Sequence, residues 1–164
     1  MPKLIIIRGN SASGKSTIAK RLQNIFGRNT LMISQDMIRR EMLWVNDGMD
    51  TPAIRLLEFI LEYGYDHHEI TILEGILNSK WYEPLFDKAV ERYGKENIFA
   101  FYYDLPFEET VKRHGTRSKR SEFGEAALSE WWNEKDHIGS IAEDMITAEK
   151  SEEETVEWIV SKVR

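Results

Sequence analysis

Short apolar runs alternate along this chain with longer stretches whose apolar residues recur at helical spacing. The runs that resemble strands are residues 4–7, 30–34, 70–73, 98–103 and 145–147, the last being the shortest. Continuous runs of this kind are typical of strands that are covered on both faces of a sheet. The pattern therefore predicts five strands with helices between them.

The intervening stretches carry helix boundary signals. Ile18 and Leu22 lie on one face of a helix that is expected to begin near Lys15 and to end at Gly27. Thr51 is predicted to be an N-cap followed by a first-turn proline, and Gly64 to end that helix. The other expected helices are residues 36–44, 85–93 before Gly94, one starting near Pro106, and one capped by Ser151 with Glu154.

The alternation of strands and helices predicts an α/β fold with a five-stranded, mostly parallel sheet and helices on both faces. The chain has 164 residues and shows no linker rich in Pro, Gly or Ser, so residues 1–164 are expected to form one domain. In such a sheet, ligands bind at the carboxyl ends of the strands. The polar residues that follow each strand are therefore the candidates for function.

A glycine-rich segment joins the first strand to the first helix. It matches the pattern G-x-x-x-x-G-K-[ST], in which backbone N–H groups and a helix N-terminus surround phosphate groups. The Lys15 ammonium would reach the β- and γ-phosphates, and the Ser16 hydroxyl would ligate Mg²⁺. The predicted nucleotide-binding residues of this P-loop are Gly9, Asn10, Ser11, Ala12, Ser13, Gly14, Lys15, Ser16 and Thr17.

Asp36 and Arg39 follow the second strand, one strand away from the P-loop. A carboxylate at this position can accept the proton of an attacking hydroxyl, which phosphoryl transfer requires. Arg39 lies about one helical turn further on and could bind an anionic part of the acceptor. The alternative is structural: Ser34 or Asp36 caps the helix, and Arg39 is a solvated partner.

Glu74 directly follows the third strand. An acidic residue there is typical of the carboxylate that holds Mg²⁺, directly or through water, in P-loop proteins. A glutamate also leaves open a contact with the acceptor. The alternative is an ordinary loop carboxylate.

A basic cluster at residues 112–120 contains five Lys or Arg in a chain that is acidic overall. Its position after the fourth strand and the next helix is suited to a lid over the phosphates, predicted at about residues 113–124. Arg113 and Arg117 could then neutralise charge on the nucleotide and on the transferred group, Arg117 as a catalytic residue. The alternative is a solvated helix face.

With these features the chain resembles the P-loop kinases of small molecules and nucleic-acid ends. The resemblance is to the branch with polynucleotide kinases, zeta-toxin kinases, gluconate kinases and chloramphenicol phosphotransferase. It is carried by residues 9–17, the Ser34-x-Asp36-x-x-Arg39 motif, Glu74, and residues 102–109 leading to Arg113 and Arg117.

The resemblance implies that Asp36 is the base, that Arg39 binds the acceptor, and that Arg113 and Arg117 belong to the lid. It also implies that the adenine lies near residues 147–150. No single member of this branch has a substrate pocket that matches residues 44–64 and 78–82. The resemblance therefore does not identify the phosphoryl acceptor.

The composition limits the kinds of molecule that the protein is expected to bind. The net charge is −6, which argues against duplex nucleic acid, and the chain has no Cys. The apolar stretch near the N-terminus is too short for a signal sequence or membrane span, so a cytoplasmic protein without membrane contact, monomeric or homodimeric, is expected.

The expected function is an ATP- and Mg²⁺-dependent kinase that phosphorylates a hydroxyl or phosphate of a small molecule. One alternative is a kinase of 5′-hydroxyl nucleic-acid ends. A second is a nucleotide-dependent regulatory module with slow hydrolysis.

Overall fold

The apolar runs form one five-stranded sheet in the computed structural model, which describes residues 1–115, 124–130, 132 and 135–164. The strands are β1 (Lys3–Gly9), β2 (Leu31–Ser34), β3 (Ile70–Gly75), β4 (Ile98–Tyr103) and β5 (Glu143–Ile146). Their order is β2-β3-β1-β4-β5, and each neighbouring pair is parallel. The predicted parallel α/β sheet is confirmed, and β5 lies two residues earlier at its start than expected.

In the described part of the chain, six α-helices lie between strands and a seventh follows β5. They are α1 (Lys15–Phe26), α2 (Gln35–Met37), α3 (Ala53–His67), α4 (Glu83–Tyr93), α5 (Phe107–Gly115), α6 (Glu125–Glu130) and α7 (Glu152–Val163). A π-helical turn at Ile38–Met42 continues α2, and a 3₁₀ turn at Lys95–Asn97 follows α4. No helix among the described residues is long and apolar enough to cross a membrane.

The central strand β1 separates two hydrophobic cores. Leu4 and Ile6 pack into the core that α3 and α4 cover, whereas Ile5 and Ile7 pack into the core that α1 and α7 cover. Side chains alternate between the two faces of a strand, so a run of four aliphatic residues supplies both cores. The expected helices on both faces are thereby confirmed.

The sequence predicted that Gly64 ends α3. This prediction was wrong, because the helix continues to His67. A Cβ at Gly64 would lie 2.5 Å from Thr71 Oγ1 and 3.1 Å from the Tyr93 hydroxyl. The glycine therefore allows the helix to approach the sheet closely. Pro52 directly precedes the helix, and the Thr51 Oγ1 accepts the Ala53 N–H at 3.5 Å, as expected of a capping residue followed by a first-turn proline.

Arg8, at the carboxyl end of β1, is completely buried. Its Nε and Nη2 donate to the Leu77 carbonyl at 3.1 and 2.9 Å, and Nη1 and Nη2 donate to the Asp136 carbonyl and Oδ2 at 2.9 and 2.6 Å. Nη1 also donates to Glu143 Oε1 at 2.7 Å. The guanidinium group has five N–H donors, and all are satisfied.

Two aromatic rings flank the same guanidinium group. The Arg8 Cζ lies 5.4 Å from the ring centres of both Phe86 and Tyr102. The ion pairs and rings tie β1 to the loop after β3, to α4 and β4, and to β5 with the segment before it. A buried charge is tolerated only when it is paired and hydrogen-bonded in this way.

We expect Arg8→Met to lower the free energy of unfolding by about 3–5 kcal/mol, because it leaves the buried Glu143 carboxylate without its cation. Urea-induced unfolding measures the loss. Arg21→Met is the matched control, because its ion pair with Glu152 is solvent-exposed and should contribute about 1 kcal/mol or less. Equal losses in the two variants would contradict the structural role of Arg8.

Candidate active site

The segment that joins β1 to α1, which is predicted to bind phosphate, contains three residues with positive φ angles. Gly9 and Gly14 have φ angles of 145° and 104°, and Ala12 has 65°. A Cβ at Gly9 would lie 2.8 Å from Tyr103 Cβ, so a side chain is excluded by contact as well as by conformation. Gly14 adopts the left-handed conformation at the N-cap of α1, which leaves the first N–H groups of the helix unused by any capping side chain.

Lys15 is held against this loop, and it is only 8% exposed. Its Nζ donates to the Asn10 carbonyl at 2.8 Å and to Ser13 Oγ at 3.2 Å. These are polar contacts that phosphate oxygens can replace. The position fits the predicted role of a phosphate-binding cation.

Ser16 and Glu74 meet at the point where β1 and β3 end. Ser16 Oγ donates to Glu74 Oε1 at 3.1 Å, and Glu74 is 2% exposed. Hydroxyl and carboxylate oxygens are hard donors of the kind Mg²⁺ prefers, so the pair fits that ion. No group of three or more acidic, His or Cys residues in the described part of the chain could hold a metal alone. Magnesium there would need phosphate and water as further ligands.

Asp36 lies in α2 and carries two arginine partners. Its Oδ1 lies 3.2 Å from Arg39 Nη2 and 2.9 Å from Arg40 Nε. The helix cap comes from Ser34, whose Oγ accepts the Met37 N–H at 3.4 Å. Of the two capping residues considered, the structure therefore selects Ser34. Asp36 does not cap the helix, and it lines the cleft.

Arg113 connects the start of the basic cluster to the P-loop. Its Nη1 donates to the Ser13 carbonyl at 2.6 Å, and its Nε pairs with Glu109 Oε1 at 3.1 Å. The guanidinium group thus lies beside the predicted phosphate site. Arg117 and most of the expected lid, at about residues 113–124, lie outside the described residues.

These residues line one cleft of about 1180 Å³ at the carboxyl edge of the sheet. Lys15, Ser16, Asp36, Arg39, Glu74 and Arg113 all contribute to it, as do Ser11, Ala12, Gly14 and Thr17. Gly9, Asn10 and Ser13 do not form its walls. The cleft is larger than a typical pocket for one small molecule, so it has room for two reactants.

The cleft is also lined by Ala148, Lys150, Ser151, Glu152 and Thr155. It thus overlaps the region that the resemblance assigned to the adenine. Tyr103 lies in the same cleft, and burial raises the pKa of its hydroxyl well above the usual range. The phenol is therefore neutral beside the phosphate-binding loop.

Sequence reasoning missed a hydrogen-bonded group of three side chains, two of which line the cleft. The Tyr82 hydroxyl donates to Asp47 Oδ1 at 2.6 Å and accepts from Gln35 Nε2 at 2.8 Å. Gln35 and Asp47 line the cleft together with Arg40, Asn46 and Trp81. No motif joins these positions, so only the fold shows that they meet.

The chain matches no protein-family model, and no curated protein is similar to it in sequence. Solved structures are similar to it in fold. A gluconokinase from Sinorhizobium meliloti 1021 has 16% identity and a TM-score of 0.70, over 99% of this chain and 91% of that chain. The fold is that of the P-loop kinases.

Two further structures show the range of the likeness. The Mycobacterium tuberculosis APS kinase CysC, in complex with AMPPNP and APS, has 14% identity and a TM-score of 0.65, over 98% of this chain and 96% of that chain. The Pnkp1/Rnl/Hen1 RNA repair complex matches 79% of this chain and 42% of that chain, with 22% identity and a TM-score of 0.54. The resemblance to P-loop kinases drawn from the motifs is thus confirmed for the fold.

We expect Gly9→Ala to lower the free energy of unfolding by about 2 kcal/mol or more, because the Cβ meets Tyr103 and the φ angle of 145° is strained for alanine. Thermal and urea unfolding measure the change. Gly139→Ala is the control, since nothing lies within 4 Å of its added Cβ. If both variants are as stable as the parent protein, the close contact between β1 and β4 is not as described.

Proposed function

We propose that this protein is an ATP-dependent kinase that transfers the γ-phosphoryl group to a hydroxyl or phosphate of a small molecule in the cytoplasm. One observation carries the proposal: a single cleft brings together the P-loop lysine, the Ser16–Glu74 pair and an acidic residue with two arginines. Phosphoryl transfer needs these three parts, which are a phosphate clamp, a metal site and a base for the acceptor.

Donor binding is assigned to the P-loop. Its backbone N–H groups and the start of α1 would bind phosphate oxygens, and the Lys15 ammonium would exchange its contacts with Asn10 and Ser13 for the β- and γ-phosphates. Arg113 would bind the same phosphates from the opposite side. We assign Arg117 to the charge that develops on the transferred group.

Ser16 and Glu74 would hold Mg²⁺. When bound, the ion neutralises phosphate charge and orients the phosphate oxygens. Glu74 is buried and lies within β3, directly before its last residue Gly75. The sheet therefore positions its carboxylate.

Asp36 is assigned as the base. The acceptor oxygen forms a bond to the γ-phosphorus while the bond from phosphorus to the bridging oxygen breaks, and that electron pair leaves with ADP. Asp36 takes the proton from the acceptor hydroxyl, and Arg39 and Arg40 hold the carboxylate in place. If the acceptor group is a phosphate, no proton has to be removed and Asp36 acts only in orientation.

A small acceptor is favoured over a nucleic-acid end. The net charge of −6 opposes a polyanion, and the similar structures include a gluconokinase and an APS kinase. The likeness to part of an RNA repair complex keeps a 5′-hydroxyl end as the second candidate acceptor.

An ADP-release assay over sugars, nucleosides, aminoglycosides and 5′-hydroxyl oligonucleotides tests the proposal. Acceptor-dependent ADP formation with a phosphorylated small molecule by mass spectrometry is the expected result. Phosphorylation of oligonucleotides alone would show an end kinase instead. Slow hydrolysis that no acceptor accelerates would favour a regulatory module.

Lys15→Met should lower the rate of phosphoryl transfer by about 100-fold or more, because one charged donor to the transferring phosphate is worth about 3 kcal/mol. The measurement is kcat at saturating ATP, with a melting curve to follow any loosening of the loop. Lys20→Met is the control, because Lys20 is exposed on the same helix. A folded Lys15→Met variant with parental kcat would refute the kinase assignment.

Asp36→Asn should lower kcat by about 100-fold or more while ATP binding changes little, because the amide keeps the shape and loses the base. Steady-state kinetics and ATP-analogue titration measure the two effects. Asp50→Asn, an exposed residue outside the cleft, is the matched control. A lower melting temperature with unchanged kcat would make Asp36 a structural residue.

A further inference from the structure

A second carboxylate, Asp47, lines the acceptor side of the cleft and is held by hydrogen bonds. Its Oδ1 accepts the Tyr82 hydroxyl at 2.6 Å and the Gly48 N–H at 3.0 Å. Gln35 Nε2 lies 3.5 Å from its Oδ2, at the limit of a hydrogen bond. The side chain is therefore positioned by donors to Oδ1, while the long contact from Gln35 is the one hydrogen bond to Oδ2 among the described residues.

The groups that hold Asp47 are buried parts of the fold. Tyr82 is completely buried, Gln35 is 2% exposed, and Gln35 Nε2 donates to the Tyr82 hydroxyl at 2.8 Å. Gly75 makes the space for this arrangement, since a Cβ there would lie 2.8 Å from Gln35 Cβ. Buried polar groups that are fully satisfied specify one geometry.

The hydrogen bonds of this group have a fixed direction. Burial and the neighbouring negative charge of Asp47 raise the pKa of Tyr82 far above its usual range, so its hydroxyl stays protonated. Tyr82 then donates to Asp47, and the Gln35 amide donates to Tyr82. Asp47 can act only as an acceptor, and it will attract a ligand group that donates.

The cleft is lined by charges of both signs. Lys15 and Arg113 lie at the P-loop. On the acceptor side, Arg39 and Arg40 both pair with Asp36. Asp47 has neutral donors and no ion pair within the described part of the chain. An anionic group in direct contact with Asp47 would be repelled by its carboxylate, whereas a hydroxyl or ammonium group could donate a hydrogen bond to it.

We infer that Asp47 selects the acceptor, and that the acceptor is a polyhydroxyl compound of the sugar or amino-sugar class that donates hydrogen bonds to Asp47. The inference rests on the proposed function, because it assigns a role within the same cleft. Trp81, which precedes Tyr82 in sequence, also lines the cleft. Asp47 positions the acceptor, and Asp36 remains the base.

The test uses three probes of one size and different charge: glucose, glucosamine and glucuronate. Their binding to the protein is measured by ligand-detected NMR with a non-hydrolysable ATP analogue present, so the readout does not require turnover. We expect glucosamine and glucose to bind, and glucuronate to bind most weakly. Asp47→Asn should weaken glucosamine by about tenfold and remove its advantage over glucose, because hydrogen bonds to a charged group are the stronger kind.

Tyr82→Phe should weaken the same probes by a smaller factor, because it frees Asp47 to move without removing the charge. Asp50→Asn is the matched control and should change nothing. The affinity for the ATP analogue should be equal in all four proteins. If a variant does not fold, the ranking of probes by the parent protein still decides the question.

Three results would overturn the inference: no binding of any probe, strongest binding of glucuronate, or an unchanged probe ranking in a folded Asp47→Asn variant. The proposed function fails separately. A protein that binds the probes in the expected order but phosphorylates no acceptor would keep the acceptor site and lose the kinase reaction. If the protein phosphorylates an acceptor and the Asp47→Asn substitution does not change that reaction, the kinase function stands and the role of Asp47 is refuted.

Discussion

The buried guanidinium group of Arg8 constrains the edge of the sheet where the cleft lies. A charge with no access to water must find a partner for every donor, and Arg8 finds them on Leu77, Asp136 and Glu143. These partners come from the loop after β3, from the segment that leads to β5, and from β5 itself. Because Arg8 precedes Gly9 directly, the start of the P-loop is held in register with the segments around it.

Most of the fold could be predicted because its signals are local. The run of aliphatic residues in β1 is long enough to supply both cores, and Gly27 and Gly94 follow their helices as expected. The prediction at Gly64 failed because a glycine in a sequence can indicate either the end of a helix or a close approach of the helix to its neighbours. The residue type alone does not distinguish these two roles. Only the packing of α3 against Thr71 distinguishes them.

The residues of the candidate site also differ in how far local sequence signals predict them. The P-loop is contiguous, and the positions of Asp36 and Glu74 follow from the rule that parallel strands end at one edge. Arg8, by contrast, is a single polar residue before a glycine, with partners more than 60 residues away. The contact of Tyr82 with Asp47 spans 35 residues and joins two irregular segments, so no periodicity could indicate it.

The two carboxylates of the acceptor side are linked through Gln35. Its backbone precedes Asp36 in α2, while its side chain is buried against Tyr82, which holds Asp47. A displacement of Asp47 is therefore resisted by a residue that also determines where Asp36 stands. Since phosphoryl transfer depends on the alignment of the attacking oxygen, a site that binds the acceptor at one carboxylate and activates it at another gains from such a connection. In the proposed mechanism, Lys15 and Arg113, which both donate hydrogen bonds to P-loop carbonyl groups, would bind phosphate, and the two carboxylates would bind the acceptor.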